Sequence, residues 1–172
     1  LYTAHLENHK LTLHSQSIVK TLISTSGEST MSELAFLSAT QLAAKVRNKE
    51  ISAVELLNHY LGRVDQYNGD LNAIIVDIRE QALKDATEAD AMLARGDACG
   101  PLHGVPMTVK ESYNVAGTPT TWGNPNWTGN VPNEDAESVK QLKKAGVTLF
   151  GKTNVPLSLA DFQSYNEVYG TT

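Results

Sequence analysis

The chain has 172 residues, of which 41% are hydrophobic and 19% are charged, and its net charge is -5. This composition is typical of a globular domain with a hydrophobic core and argues against a disordered segment. An acidic balance argues against a nucleic-acid-binding protein, because neutralising phosphates requires a basic surface. No stretch approaches the roughly 18 apolar residues that a membrane-spanning helix needs, so we expect neither nucleic acid nor a membrane as a partner.

The first 30 residues differ in character from the rest of the chain. They precede Met31, are rich in Ser, Thr and His, and show no sustained hydrophobic periodicity. We interpret residues 1–30 as a weakly ordered leader, or as sequence read through from upstream of the true start, and residues 31–172 as the N-terminal part of one domain. The single cysteine, Cys99, cannot form an internal disulfide, and no secretory signal is recognisable, so we expect a cytoplasmic protein.

Two amphipathic helices are predicted after residue 37. Each begins with a possible capping box, formed by Ser38 with Gln41 and by Ser52 with Glu55. Apolar side chains recur at helical spacing at Leu42, Ala43 and Val46 in the first helix, and at Val54, Leu57, Leu61 and Val64 in the second. The run that follows, residues 73–76, predicts a short buried strand.

A third helix is predicted over about residues 79–95. Its apolar residues share one face and are Ala82, Ala86, Ala89 and Leu93. We interpret the charged residues of this helix as a solvated face. The helix is expected to end at Gly96, since glycine commonly follows the last helical turn.

The second half of the chain alternates strand and helix again. After the break at Gly100-Pro101, a strand is predicted that ends in Lys110, followed by a region rich in Gly and Pro whose length points to function or to mobility. A helix over about residues 134–145 and a buried strand over residues 147–150 complete the pattern. This alternation predicts a layered α/β domain whose sheet is at least partly parallel.

Residues 146–153 match the phosphate-binding pattern G-x-x-x-x-G-K-[ST] of ATPases and GTPases. That loop needs a strand before its first glycine and a helix after its lysine. Here a predicted helix precedes Gly146, and the four variable positions are Val, Thr, Leu and Phe, which favour a strand. We therefore reject a nucleotide-binding site.

The segment from Gly104 to Lys110 places one lysine at the end of an apolar, partly β-branched run. If the strand end is buried, desolvation disfavours the ammonium, so the free amine becomes available as a base. On these residues alone, a lysine that ends an edge strand and reaches into solvent is the commoner case. Lys152 also ends a predicted strand and competes for the same role.

Three other side chains have simple structural interpretations. His103 is of a type suited to general-base catalysis, but we interpret it as a surface-loop histidine without a partner. Trp122 and Trp127 lie in the region rich in Gly and Pro, where they either cover the entrance to a site or anchor the loop to the core.

Four segments, at residues 100–111, 115–121, 145–156 and 165–172, resemble the amidase signature family in order and spacing. The resemblance is thinner before residue 97 and absent before residue 37. It implies an α/β fold with a mixed sheet flanked by helices, of which this chain holds the N-terminal part. It also implies hydrolysis of a small-molecule carboxamide to a carboxylate plus ammonia or an amine by a Ser, cis-Ser, Lys triad, with no metal or organic cofactor.

The same resemblance assigns roles to individual residues. It makes Lys110 the catalytic lysine, assigns Lys152 to a turn leading into the pocket wall, and places Leu159 and Asp161 near the acyl part of the substrate. Glu111 stands where the family usually has Asp.

The two serines of the family lie beyond its YGTT segment, in and after a Gly-Gly-Ser-Ser-Gly-Gly stretch. No Gly-Gly-Ser-Ser occurs in the 172 residues. We therefore expect these residues alone to be nearly inactive and to leave apolar surface uncovered. Two alternatives stay open: a truncated scaffold or interaction module, and an amidase-like subunit of a tRNA-dependent amidotransferase.

Overall fold

In the computed structural model the described residues are 33–172, so the predicted leader at residues 1–30 lies outside them. The chain divides into two compact units, Leu1–Leu37 and Ser38–Thr172. Of the first unit only residues 33–37 are described: residues 33 and 34 are helical, and a turn follows them. The domain boundary predicted from the sequence stays a prediction. The second unit contains the sheet and the helices that flank it.

The second unit begins with the two predicted helices, α1 (Ala39–Arg47) and α2 (Ala53–Leu71). Both capping boxes are formed as predicted. In α2 the buried residues are Ala53, Leu56, Leu57 and Leu61. The predicted apolar stripe is therefore misplaced at its N-terminal end, because Leu56 rather than Val54 is buried there.

Strand β1 (Ile74–Asp77) and helix α3 (Arg79–Arg95) follow within one residue of the predicted places. The prediction that the strand is buried is wrong, because none of the residues of β1 is fully buried. The buried residues of α3 are its small apolar ones, Ala82, Ala86 and Ala89. Small side chains on this face let α3 approach its neighbours closely. The helix ends at Gly96, whose φ of 78° is a left-handed conformation that glycine adopts without strain.

The charged face of α3 is not wholly solvated, and here the sequence-based interpretation is wrong. Asp90 is half-buried and accepts hydrogen bonds from the backbone N–H groups of Ala53 (2.7 Å) and Val54 (3.1 Å). These two N–H groups belong to the first turn of α2 and have no partner within their own helix. Asp90 thus caps a neighbouring helix, a role that helical periodicity alone does not reveal.

The sheet has three strands in the order β1-β3-β2, where β2 spans Pro106–Lys110 and β3 spans Thr148–Thr153. β3 pairs in parallel with β2 and antiparallel with β1, so the sheet is mixed. The predicted α/β class is confirmed. Among the described residues, β2 forms one edge of this sheet.

Strand β3 is longer than predicted, because it continues past Phe150 through Gly151 and Lys152, and every residue up to Lys152 is buried. Glycine and a charged residue do not signal a strand, which is why hydropathy ended the prediction too early. The extended backbone of these residues is also incompatible with a curled phosphate-binding loop, in agreement with the rejection of a nucleotide site.

Helix α4 (Glu137–Lys144) begins later than predicted. Ahead of it, the Ala136 N–H donates to the Asn114 carbonyl (2.8 Å), and the Asp135 carboxylate accepts from the Ala116 N–H (2.8 Å). These bonds tie the start of α4 to the loop after β2. The apolar cluster that includes α4, that loop and the sheet consists of Val109, Val115, Val139, Val147 and Leu149.

The turn ahead of β2 is buried, so the prediction that His103 is a surface histidine without a partner is wrong. His103 is buried, and its Nε2–H donates to the Ala89 carbonyl of α3 (2.8 Å). The next residue, Gly104, has a φ of 72°, and a Cβ added there would lie 2.8 Å from the Cβ of Ala53. Close packing of this turn against α2 and α3 fixes the start of β2.

A two-stranded antiparallel ribbon, β4 (Tyr165–Asn166) and β5 (Gly170–Thr171), follows β3 and was not predicted. Within residues 33–172 no helix has the length and apolar character to cross a membrane.

Candidate active site

Lys110 is the last residue of β2, and its side chain is exposed to solvent among the described residues. Its Cα lies opposite that of Thr153 on β3, and its carbonyl accepts from the Tyr113 N–H (3.0 Å). The backbone of Lys110 is therefore fixed by the sheet. The shielding from water expected around a catalytic amine is not supplied by residues 33–172.

The residue after Lys110 points the other way, into the protein. Glu111 is 0% exposed. One carboxylate oxygen, Oε1, accepts from the Thr121 N–H (2.5 Å) and the Tyr169 hydroxyl (3.0 Å), and the other, Oε2, accepts from the Trp122 N–H (2.9 Å). Its own N–H donates to the Thr153 carbonyl (2.9 Å). Glu111 thus joins the end of β2 to three other parts of the chain.

Lys152, in β3, is the second charged residue that is 0% exposed. Its ammonium donates to the hydroxyls of Thr118 (3.4 Å) and Thr120 (2.8 Å) and to the Pro119 carbonyl. Burial lowers the pKa of Lys152 to about 8, although the negative charge of Glu111 opposes the shift. All of its acceptors lie in the loop that also supplies the N–H partners of Glu111.

Tyr169 brings the YGTT segment to the same place. Burial is the largest cause that raises the pKa of its phenol, and its contact with Glu111 acts in the same direction. The loop carrying Tyr169 is held by Asn166, whose Oδ1 accepts from the N–H groups of Val168 (2.9 Å) and Tyr169 (2.8 Å). Asn166 also donates to the side chain of Asn154 after β3 (2.9 Å).

Asn154 continues this network to residues 170–172. Its Nδ2 donates to the Gly170 carbonyl (3.2 Å) and to the Thr172 hydroxyl (3.0 Å). The Thr172 hydroxyl in turn donates to the Asn72 carbonyl (2.9 Å). Side-chain amides therefore fasten the YGTT segment to the end of α2 and to the turn after β3.

Leu159 lies in a short 3-10 turn, Leu157–Leu159, and is 39% exposed. Ser158 and Leu159 both have positive φ values, 53° and 59°, which is unusual for residues other than glycine. The Ser158 N–H donates to the Trp122 carbonyl (2.8 Å), so this turn is attached to the loop that holds Glu111. Leu159 is accordingly connected, through two hydrogen bonds, to the residue beside Lys110.

Asp161 is exposed, and its Oδ1 accepts from the N–H groups of Phe162 (2.6 Å) and Gln163 (3.3 Å). The Asp161 carboxylate thus stabilises its own turn through these two bonds. The predicted roles of Lys110, Leu159 and Asp161 stay predictions.

Trp122 and Trp127 are both exposed and contact each other edge to face, with ring centroids 6.2 Å apart. Neither side chain is buried, which argues against anchoring in the core, and the covering of a site entrance stays a prediction. No group of three or more His, Cys, Asp or Glu side chains suited to a metal ion occurs within residues 33–172.

The sequence does not indicate that Glu111 and Lys152 are both buried, nor that Tyr169 contacts Glu111. From the sequence, Glu111 is a departure from the usual Asp and Lys152 belongs to a turn, whereas the structure places Lys152 within β3. A usable signal was present for Lys152, since the strand-forming residues 147–150 precede it and Val155 and Pro156 follow it closely. No local pattern indicates that Tyr169 meets Glu111, because 58 positions separate them.

Known proteins resemble this chain in sequence and in fold. A family model described as Amidase matches residues 55–172. An acylamidase of Rhodococcus erythropolis is 39% identical over 143 residues, which cover 83% of this chain and 30% of that protein. One subunit of the glutamyl-tRNA(Gln) amidotransferase of Streptomyces coelicolor is 35% identical over 142 residues, which cover 83% of this chain and 29% of that protein.

A solved structure of a fatty acid amide hydrolase superposes with a TM-score of 0.78 at 30% sequence identity. The match covers 83% of this chain and 25% of that one. The chain therefore spans less than a third of the length of these three proteins.

Proposed function

Because this chain belongs to the amidase family, we propose that the intact protein hydrolyses a carboxamide to a carboxylate and ammonia or an amine. The observation that carries the proposal is the family match over residues 55–172, which includes the strand that ends in Lys110. Supporting it, the fold matches that of a fatty acid amide hydrolase.

In this proposal Lys110 acts as the proton acceptor of the triad. A nucleophilic serine attacks the carbonyl carbon, its proton passes through a bridging serine to the Lys110 amine, and the leaving amine departs with a proton. Water then hydrolyses the acyl-enzyme. Both serines would come from outside the 172 residues, and so would the surface that shields Lys110 from water.

We assign the acyl part of the substrate to the neighbourhood of Leu159 and Asp161. Leu159 is apolar and partly exposed, and its turn is attached to Trp122. Such a surface suits a small-molecule amide with an apolar acyl group. The reaction as proposed needs no metal or organic cofactor. The single cysteine is consistent with a reducing compartment, so we place the protein in the cytoplasm.

The second candidate is the amidase-like component of a tRNA-dependent amidotransferase. It is favoured by the 35% identity to a subunit of the glutamyl-tRNA(Gln) amidotransferase. Such a component would need companion subunits, whereas a free-standing amidase would not.

Ammonia release by the intact protein separates the two candidates. The purified protein is incubated with a panel of aliphatic and aromatic carboxamides, both primary and N-substituted, and ammonia, amine and carboxylate are quantified. A free-standing amidase releases carboxylate and ammonia or amine in equal amounts with no other protein present. Release only from glutamine, and only after companion subunits are added, would favour the amidotransferase, and no release under either condition would contradict amide hydrolysis altogether.

A further inference from the structure

Glu111 is a buried carboxylate that makes no ion pair among the described residues. Every ion pair found there has at least one exposed or half-exposed partner. A carboxylate removed from water is costly unless charged partners or hydrogen bonds replace the lost hydration. Here two backbone N–H groups and one phenol hydroxyl serve that purpose. The hydrogen bonds that offset the cost of burying Glu111 also attach the donor segments to it.

The three donors come from two segments of the chain. Thr121 and Trp122 belong to the loop after β2, and Tyr169 belongs to the YGTT segment. Glu111 itself follows Lys110 and is fixed to β3 by its backbone N–H. The Glu111 side chain therefore bonds both the loop and the YGTT segment to the strand end that carries Lys110.

The loop between residues 118 and 122 is held at both of its ends by buried charges. Lys152 binds the oxygens of Thr118, Pro119 and Thr120, and Glu111 binds the next two N–H groups. The turn with Leu159 depends on the same loop through the bond from Ser158 to Trp122. Loosening the loop at Glu111 would therefore shift the loop and the turn relative to the strand end, which pairs with β3.

We propose that Glu111 is a positioning residue that fixes Lys110 relative to the Trp122 loop and the YGTT segment. The effect on catalysis rests on the proposed function, whereas the mechanical coupling of the three segments does not. Charge-assisted hydrogen bonds are short and directional, which suits this role. A displacement of a reacting group by about 1 Å can lower a rate about 100-fold.

The test compares Glu111→Gln, Glu111→Asp and Val139→Ala in the intact protein. Gln offers an NH2 group in place of one carboxylate oxygen, and that group would face a backbone N–H that cannot turn away. Asp keeps both acceptor oxygens on a shorter stem. Val139 is buried in α4 and belongs to the apolar cluster rather than to the partners of the carboxylate, so Val139→Ala is a control for general destabilisation.

Two readouts are taken at a temperature where all variants are folded: peptide-level hydrogen exchange, and kcat and KM for the best amide. We expect Glu111→Gln to raise exchange in residues 111–123 and 165–172 together, and to lower kcat about 10- to 100-fold with KM changed less than about threefold. Glu111→Asp should restore a large part of the wild-type protection from exchange and of the wild-type kcat. Val139→Ala should leave kcat within about twofold of wild type.

Exchange that stays at the wild-type level in residues 165–172 of Glu111→Gln would overturn the proposal. So would equal losses of kcat in Glu111→Gln and Val139→Ala. If the wild-type protein hydrolyses no amide, the proposed function fails, and the exchange data alone then support or overturn the coupling.

Discussion

At the scale of single residues, the two lysines that competed for the role of base differ in their burial. Lys110, the candidate base, is exposed, whereas Lys152 is enclosed by three oxygens and has its pKa lowered to about 8. Because every N–H of the Lys152 ammonium meets an acceptor in the loop, this side chain supports structure. The free energy of unfolding should consequently change with pH in the range where Lys152 titrates.

Stability relative to a Lys152→Met variant should rise between about pH 8 and pH 10.5. The folded protein loses the Lys152 proton near pH 8, but the unfolded chain keeps it until about pH 10.5, so the unfolded state binds more protons in this window. Across this pH range the free energy of unfolding of wild type should therefore increase by up to about 3 kcal/mol relative to that of the variant. Chemical denaturation of both proteins at several pH values measures the difference.

Groups that titrate equally in the two proteins cancel in this comparison. A difference that stays constant from about pH 8 to pH 10.5 would show that Lys152 titrates as in the unfolded chain. A difference in the free energy of unfolding that falls as the pH rises would contradict a lowered pKa of Lys152 in the folded protein.

At the scale of elements, the first turn of α2 is capped by side chains from two separate parts of the chain. The Ser52 hydroxyl accepts from the Glu55 N–H (3.0 Å), while Asp90 of α3 accepts from the first two N–H groups of the helix. This arrangement satisfies the unpaired donors of the helix terminus and attaches α3 to α2.

Replacement of Asp90 by Ala should destabilise the intact protein more than replacement of Ser52 by Ala. We expect about 1 kcal/mol for Ser52→Ala and about 2 to 3 kcal/mol for Asp90→Ala, which leaves two N–H groups without acceptors. Denaturant titration measures both. Lys84→Ala, at an exposed position of the same helix, is the matched control and should change stability by less than about 0.5 kcal/mol. Equal effects of Asp90→Ala and Lys84→Ala would refute the capping role.

The elements themselves were largely predictable, because their signals are local. Both capping boxes, the end of α3 at Gly96 and the strand before Lys110 follow from residue types within a few positions of each other. Contacts across the chain were not predictable in this way. The cap by Asp90, the buried His103 and the meeting of Glu111 with Tyr169 depend on how the elements pack, and single-sequence periodicity carries no information about that.

At the scale of the whole molecule, the described residues leave apolar side chains and a strand edge exposed. Trp122, Trp127, Leu157 and Leu159 are exposed, and Phe162 is fully so. Among the described residues β2 forms an edge of the sheet, and an edge strand presents unpaired N–H and C=O groups to which a further strand can pair. In the proteins that this chain matches, the remaining length is available to cover such surfaces.

Residues 1–172 produced alone should self-associate and should hydrolyse no amide. The exposed strand edge and the apolar side chains favour association, and the absence of a Gly-Gly-Ser-Ser segment removes the expected nucleophile. Sedimentation velocity measures the first outcome and ammonia release the second. A monodisperse monomer would contradict the first expectation, and turnover abolished by Lys110→Ala would contradict the second.

The most direct test of the central claim is the kcat/KM of the intact protein for its best carboxamide, with Lys110→Ala compared with Lys84→Ala. We predict a loss of about 1,000-fold or more for Lys110→Ala, since members of a triad act as a unit, and no more than about a twofold change for Lys84→Ala. Wild-type turnover by a folded Lys110→Ala protein would contradict the assignment of Lys110 as the catalytic base.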